Sequence, residues 1–226
     1  VLLTAPGTGT VPKIVYGVNQ KKFCPDELSV FSAASCTTNA ITPVLKVIND
    51  AIGIKHGHIE TIHAYTNDQN LVDNMHKKYR RGRAAAVNMV ITETGAGKAV
   101  GKALPELQGQ LTSNAIRVPV PNGSLAILNL NLHAKTSKGD LNAIMKKYAL
   151  EGDLVEQVRY SISNELVSSD IVGVEEPAIF DSEATIVSDD GLNALVYVWY
   201  DNEYGYSHQV MRLAKHISKV RRFSYY

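Results

Sequence analysis

Residues 128–132 read Leu-Asn-Leu-Asn-Leu, an unbroken apolar–polar alternation. Only an extended strand sends alternate side chains to opposite faces, and here the second face is polar throughout. The chain is thereby committed to a sheet with one covered and one wet side, which favours antiparallel pairing. The cover is legible too. Ile41, Val44, Leu45, Ile48 and Ile52 recur at helical spacing between Ser35, a plausible N-cap, and Gly53, a stop. That spacing predicts a helix over 36–52, which Pro43 should bend or deprive of one backbone bond. Further helices are expected at 95–104 before Pro105, at 140–150 through Leu141, Ile144, Met145 and Tyr148, and at 206–220 with Val210, Leu213, Ala214 and Ile217 inward. Strands are expected at Leu2-Leu3, Ile14-Val15-Tyr16, Val30-Phe31, 58–66, 87–91, 185–187 and 195–200. The fold class is α+β, a mixed and mostly antiparallel sheet covered by helices.

Composition narrows the function classes. A chain of 226 residues can bury a full core, and a net charge of +1 argues against a dedicated nucleic-acid surface. No apolar run approaches the ~18 residues of a membrane span. Two cysteines, Cys24 and Cys36, make no disulfide scaffold and fit a reducing compartment, so a cytoplasmic location is expected. Val1-Leu2-Leu3 already reads as the inside of a strand, which suggests a chain that has lost an N-terminal part.

The chemistry gathers around Ser35-Cys36-Thr37-Thr38-Asn39, a cysteine among hydroxyls at a helix start, and His63 at the end of a strand. A thiol attacks carbon as thiolate, which a helix N-terminus and an imidazole both favour. Each residue alone has a bland reading, a small buried hydrophobe and a satisfied core histidine. As a pair they fit hydrolases, transferases and aldehyde dehydrogenases equally. The polar stretch 67–83 has no period and holds Arg80, Arg81 and Arg83, with Arg117 further on. Such charge runs are usually solvated, yet guanidinium forks beside hydroxyls are what phosphate binding requires.

Thr94-Gly95-Ala96-Gly97-Lys98-Ala99-Val100-Gly101 follows a strand and opens a helix. Its third glycine is one position late for a dinucleotide fingerprint, so it reads as a cradle for a single phosphate. Gly7-Thr8-Gly9 fails similarly at Pro12. Asn202, after the aromatic strand Tyr197-Val198-Trp199-Tyr200, reads first as a helix cap. No metal-ligand set is assigned.

Ser35–Asn39, Thr61–Gln69, Arg80-Arg81-Gly82-Arg83-Ala84-Ala85-Ala86 and Trp199-Tyr200-Asp201-Asn202-Glu203, in this order, resemble the signatures of glyceraldehyde-3-phosphate dehydrogenases. The resemblance implies oxidation of glyceraldehyde 3-phosphate to 1,3-bisphosphoglycerate with inorganic phosphate, through a cysteine thioester. Hydride would pass to NAD, with NADP also open. Cys36 would be the nucleophile and His63 its base. Thr66 and Arg117 would bind the substrate phosphate; Ser35, Thr37, Arg81, Thr94 and Gly95 would serve the phosphate subsites. Asn202 and Tyr206 would hold the nicotinamide end.

The same resemblance divides the chain into a remnant of a Rossmann-type nucleotide-binding domain (1–35), a catalytic domain (36–201) and a C-terminal helix packing on the nucleotide-binding domain (202–226). It also implies a homotetramer, with the loop from Tyr65 to Asn88 lying against a neighbouring subunit. Gly123 departs from the family's expected valine, Glu93 from a common hydroxyl, and Ala40 from a second cysteine. The rivals are an erythrose-4-phosphate dehydrogenase, a non-catalytic fragment or interaction protein of this fold, and, more distantly, a cysteine hydrolase.

Overall fold

The computed structural model describes residues 1–220. β1 (Leu2–Leu3) pairs in parallel with β2 (Phe31–Ser32), close to two of the expected strands. Ile14-Val15-Tyr16 is not a strand. Only a single bridge, Lys13 to Ser32, ties this stretch to its neighbour. The reason is local: the Val15 N–H donates to Asn19 Oδ1, and the Val15 carbonyl accepts from Val18 and Asn19, so the segment turns instead of extending.

α1 (Cys36–Ala51) matches its expected span to within a residue. Ser35 Oγ accepts from the Thr38 N–H at 3.2 Å, capping one of the unpaired donors at its start. Pro43 sits inside the helix without breaking it. Ile41, Val44, Leu45 and Ile48 are wholly buried, and an interior proline costing ~3 kcal/mol is offset by that packing. Gly53 follows at φ +83°, a left-handed conformation that glycine adopts cheaply.

The main sheet comprises β3 (Ile54–Ala64), β4 (Val90–Glu93), β5 (Leu111–Val118), β6 (Ser124–Leu132), β7 (Val158–Ser161), β8 (Ala178–Asp181), β9 (Ile186–Val187) and β10 (Asn193–Tyr200). Its order is β4-β5-β3-β6-β10-β8-β7, with β9 beside β10. β3–β5 and β7–β8 are parallel and the other pairings antiparallel, so the class is the expected mixed, mostly antiparallel α+β sheet. β6 keeps Ala126, Leu128, Leu130 and Leu132 inside while Asn129 is exposed, as the alternation demands. Opposite them on β10, Ala194, Val196 and Val198 are buried. α1, α2 (Ala96–Ala103) and α3 (Lys138–Leu150) supply Ile41, Val100, Leu141 and Met145 to the same core.

Several expectations shift. β3 runs 54–64 rather than 58–66, and β4 runs 90–93 rather than 87–91. Tyr148 is exposed, because α3 buries only Leu141, Met145 and Ala149. β7 and β8 were not expected: β8 is Ala-Ile-Phe-Asp, buried at all four positions, and a doubly covered strand carries no alternation. Gly123 has φ +89°, and a Cβ there would lie 2.6 Å from the Ser168 carbonyl oxygen, which accounts for glycine in place of valine.

α4 (Tyr204–Ile217) closes the described chain, shorter than 206–220 at one end and longer at the other. Residues 221–226 of the expected C-terminal segment lie outside the described residues. Leu213 of α4 packs with Ile14, Phe31 and Ala33 in a small core of its own, joined by Tyr206, Val210 and Ile217. Among the described residues no helix is long and apolar enough to cross a membrane.

Candidate active site

Two pieces of secondary structure aim the central pair. Cys36 is the first residue of α1, reached through Ala34, whose φ of +57° makes the corner. His63 lies near the end of β3 on the same face as Ile59 and Thr61, all three turned toward the helices. Sγ of Cys36 and Nε2 of His63 are 3.6 Å apart. The parallel register of β3 with β5 sets Arg117 directly beside His63. Arg117 Nη1 lies 2.7 Å from His63 Nδ1 and donates to the Ala64 carbonyl at 2.9 Å; Nδ1 is also 2.7 Å from that carbonyl oxygen.

Tyr200, the last residue of β10, braces the pair from behind. Its ring meets the imidazole edge-on at 5.9 Å, and its hydroxyl is 2.9 Å from Thr37 Oγ1, which in turn is 4.0 Å from the sulfur. Burial pushes the Tyr200 phenol well above its ordinary range, so it stays a neutral hydrogen-bonding group.

Electrostatics act on both members of the pair. Burial pushes the Cys36 thiol up, outweighing the Thr37 N–H and hydroxyl and the Arg117 charge that pull it down. Burial also holds His63 at about 4, with Arg117 adding to the effect and the Ala64 carbonyl opposing it. Burial thus weighs against the charged form of each group taken singly, while the Thr37 bonds and the Arg117 charge pull the sulfur toward thiolate.

The pair sits in a cavity of about 280 Å³ whose lining includes Ser35, Thr37, Thr94, Gly95 and Arg117. These are five of the residues singled out from sequence for anion binding. Lys13 also lines it; it stands one residue before the stretch expected to be a strand and belongs to no motif. Thr66, Arg81, Asn202 and Tyr206 do not line the cavity. Thr66 lies just past the end of β3, half-buried.

Arg81 is buried and committed: it pairs with Asp68, donates from Nε to Thr92 Oγ1 at 2.8 Å, and from Nη2 to the Glu93 carbonyl at 3.4 Å. Asn202 is buried. Its Oδ1 accepts from Ser124 Oγ, which itself accepts from the Ala64 N–H, and its Nδ2 donates to Glu203. Tyr206 donates its hydroxyl to the Ala34 carbonyl, and burial raises its phenol to about 12. The Asn202 amide keeps an acceptor lone pair and an N–H to spare, so this donor set fits a flat carboxamide such as the nicotinamide end of a dinucleotide. A larger cavity of about 690 Å³ opens against α4, lined by Tyr16, Arg212, Lys215 and His216, and touches neither Cys36 nor His63. Among the described residues no group of His, Cys, Asp and Glu side chains could hold a metal ion.

Comparisons with known proteins place the chain by its sequence. Residues 35–202 match the family model described as glyceraldehyde 3-phosphate dehydrogenase, C-terminal domain. A glyceraldehyde-3-phosphate dehydrogenase-like protein of Pseudomonas aeruginosa is 53% identical over 220 residues, covering 97% of this chain and 47% of that protein. Glyceraldehyde-3-phosphate dehydrogenase of Kitasatospora aureofaciens is 46% identical across 93% of the chain and 62% of its own length. Glyceraldehyde-3-phosphate dehydrogenase 1 of Bacillus subtilis is 46% identical across 97% and 64%. The chain thus spans about half to two thirds of these curated relatives. By sequence over most of its length, the chain belongs to the glyceraldehyde-3-phosphate dehydrogenase family and carries that family's C-terminal domain.

Proposed function

We propose that this chain carries the catalytic centre of a phosphorylating aldehyde dehydrogenase acting on glyceraldehyde 3-phosphate and inorganic phosphate. The observation that carries the reading is a thiol 3.6 Å from an imidazole, inside a cavity that also presents Ser35, Thr94, Gly95 and Arg117. Sγ adds to the aldehyde carbon while its proton passes by way of His63 Nε2 to the former carbonyl oxygen, giving a thiohemiacetal and a neutral imidazole. His63 then stands ready to take the hydroxyl proton as the carbon is oxidised to a thioester. A bound NAD would supply the hydride acceptor, with Asn202 and Tyr206 at its carboxamide end; NADP fits these residues equally. Phosphate held by Ser35, Thr37, Thr94 and Gly95 attacks the thioester and frees the sulfur, giving 1,3-bisphosphoglycerate. Thr66 and Arg117 hold the substrate's own phosphate. Arg81 supports both subsites indirectly, by fixing the loop against β4 through Asp68 and Thr92.

The domain division follows the same reading: 1–35 with the nucleotide-binding unit, 36–201 catalytic, and the helix after 202 packed on the first segment. The shared core of α4 with Ile14 and Phe31 supports it. The loop 65–88 leaves Leu71, Val72, Met75 and Tyr79 largely exposed, which supports docking against further copies in a homo-oligomer, a tetramer. Two free cysteines suit a cytoplasmic setting.

Intact-mass analysis after mixing with glyceraldehyde 3-phosphate and NAD, phosphate omitted, is expected to show an acyl adduct on Cys36 that inorganic phosphate discharges. An unmodified Cys36, or an adduct indifferent to phosphate, would count against the thioester route.

A further inference from the structure

Glu93 ends β4 and brings a carboxylate to the wall that the proposed phosphate subsite uses. Among the described residues lining the cavity of about 280 Å³ it is the sole carboxylate, set beside Thr94 and Gly95. The lining also carries Lys13 and Arg117, both cationic, so Glu93 is out of keeping with its surroundings. Glu93, Thr94 and Gly95 line a second cavity as well, of about 600 Å³, together with Lys78 and Lys98. These three residues thus form a partition between the space that holds the thiol and an outer space bearing two lysines. The main chain of Glu93 is fixed there. It pairs with Asn114 of β5, and its carbonyl accepts from Arg81 Nη2 at 3.4 Å. The carboxylate is held far less firmly: the side chain is 88% exposed and pairs with Lys78 Nζ, itself half exposed, at 3.3 Å. An ion pair so open to water is weak, so Lys78 offsets only part of the negative charge.

We propose that Glu93 is a specificity-determining residue, a charge filter on the partition that weakens the hold on inorganic phosphate, and on its dianion most. The inference rests on the proposed phosphate subsite at Thr94 and Gly95 and adds the residue that tunes it. Repulsion between like charges grows in proportion to the ligand's charge. A dianion is therefore disfavoured about twice as strongly as a monoanion, and an uncharged acceptor such as water not at all. The donors of the wall still draw phosphate in, so the subsite persists at a lowered affinity. Because the carboxylate faces water, dissolved salt screens it; a purely steric role would not respond to salt.

The test is calorimetric titration of the full chain with inorganic phosphate, at a pH above and a pH below its second ionisation. Glu93→Gln keeps the shape and removes the charge. It should tighten phosphate about threefold to fivefold above that ionisation at low salt. Below it the gain should fall to about twofold, and salt near ~1 M should erase it. Sulfate, doubly charged throughout, should gain about as much at both pH values. Glu93→Asp should bind phosphate as the wild type does, and in a Thr94→Val background Glu93→Gln should bring no gain. Unchanged phosphate affinity in Glu93→Gln would overturn the proposal, as would an equal gain for monoanion and dianion or a gain that survives Thr94→Val. If neither the wild type nor Glu93→Gln binds phosphate, the subsite of the proposed function falls and takes the filter with it.

Discussion

Arg81 and Arg117 lie close enough for each charge to weigh on the other, yet the fold treats them oppositely. Arg81, in the loop beside β4, has its guanidinium filled by Asp68, Thr92 and the Glu93 carbonyl. Arg117, on β5, has a backbone carbonyl, an imidazole nitrogen that suits it in only one tautomer, and an Nε with nothing. Both looked like phosphate ligands in the sequence. The difference shows that a positive side chain is available for a ligand when its backbone is fixed but its charge is left uncompensated.

The sharpest way to break the contrast is Arg117→Ala. Losing charge-assisted bonds to a phosphoryl group, each about 1.5–3 kcal/mol, should lower kcat/KM for the phosphorylated aldehyde on the order of 100-fold or more, mainly through KM. A loss under about threefold in steady-state kinetics would end the claim. The pH dependence of stability comes next. Burial lowers the folded-state pKa of His63 to about 4, against an ordinary value near 6.5 when unfolded. The unfolded chain thus binds more protons between these values, so stability falls as pH drops from about 6.5 to 4, by on the order of 3 kcal/mol at most. His63→Asn should flatten that slope in urea melts, and an unchanged slope would place the effect elsewhere.

Arg81→Ala should act on stability instead. Stripping a buried guanidinium from its partners is expected to cost about 2 kcal/mol and lower the melting temperature, with phosphate affinity within about threefold of wild type. Equal losses of affinity at both arginines would erase the distinction. Smallest is Asp68→Asn: the carboxylate is half exposed, so the destabilisation should stay near ~1 kcal/mol in chemical denaturation.

Much of this was readable beforehand because periodicity reports burial. The alternation at 128–132 and the stripe Ile41–Val44–Leu45–Ile48 became the two sides of the main core. β8 was illegible because both of its faces are covered, and Ile14–Tyr16 because Asn19 captures its backbone. Cys36, His63, Ser35, Thr94 and Arg117 stood out by residue type and meet in one cavity. The saturation of Arg81 and the brace from Tyr200 depend on partners 11 to 163 positions away, and the upward push on Cys36 on burial, none of which a local pattern records.

The pairing of His63 with Arg117 across β3 and β5 has a consequence for how such a centre changes over time. A one-position slip of β5 would swing the arginine to the far side and bring Val118 or Ile116 round in its stead. Deletions in 57–64 or 111–118 would therefore part His63 from Arg117 even where packing survives. A residue count along two neighbouring ribbons is itself part of what such a centre inherits.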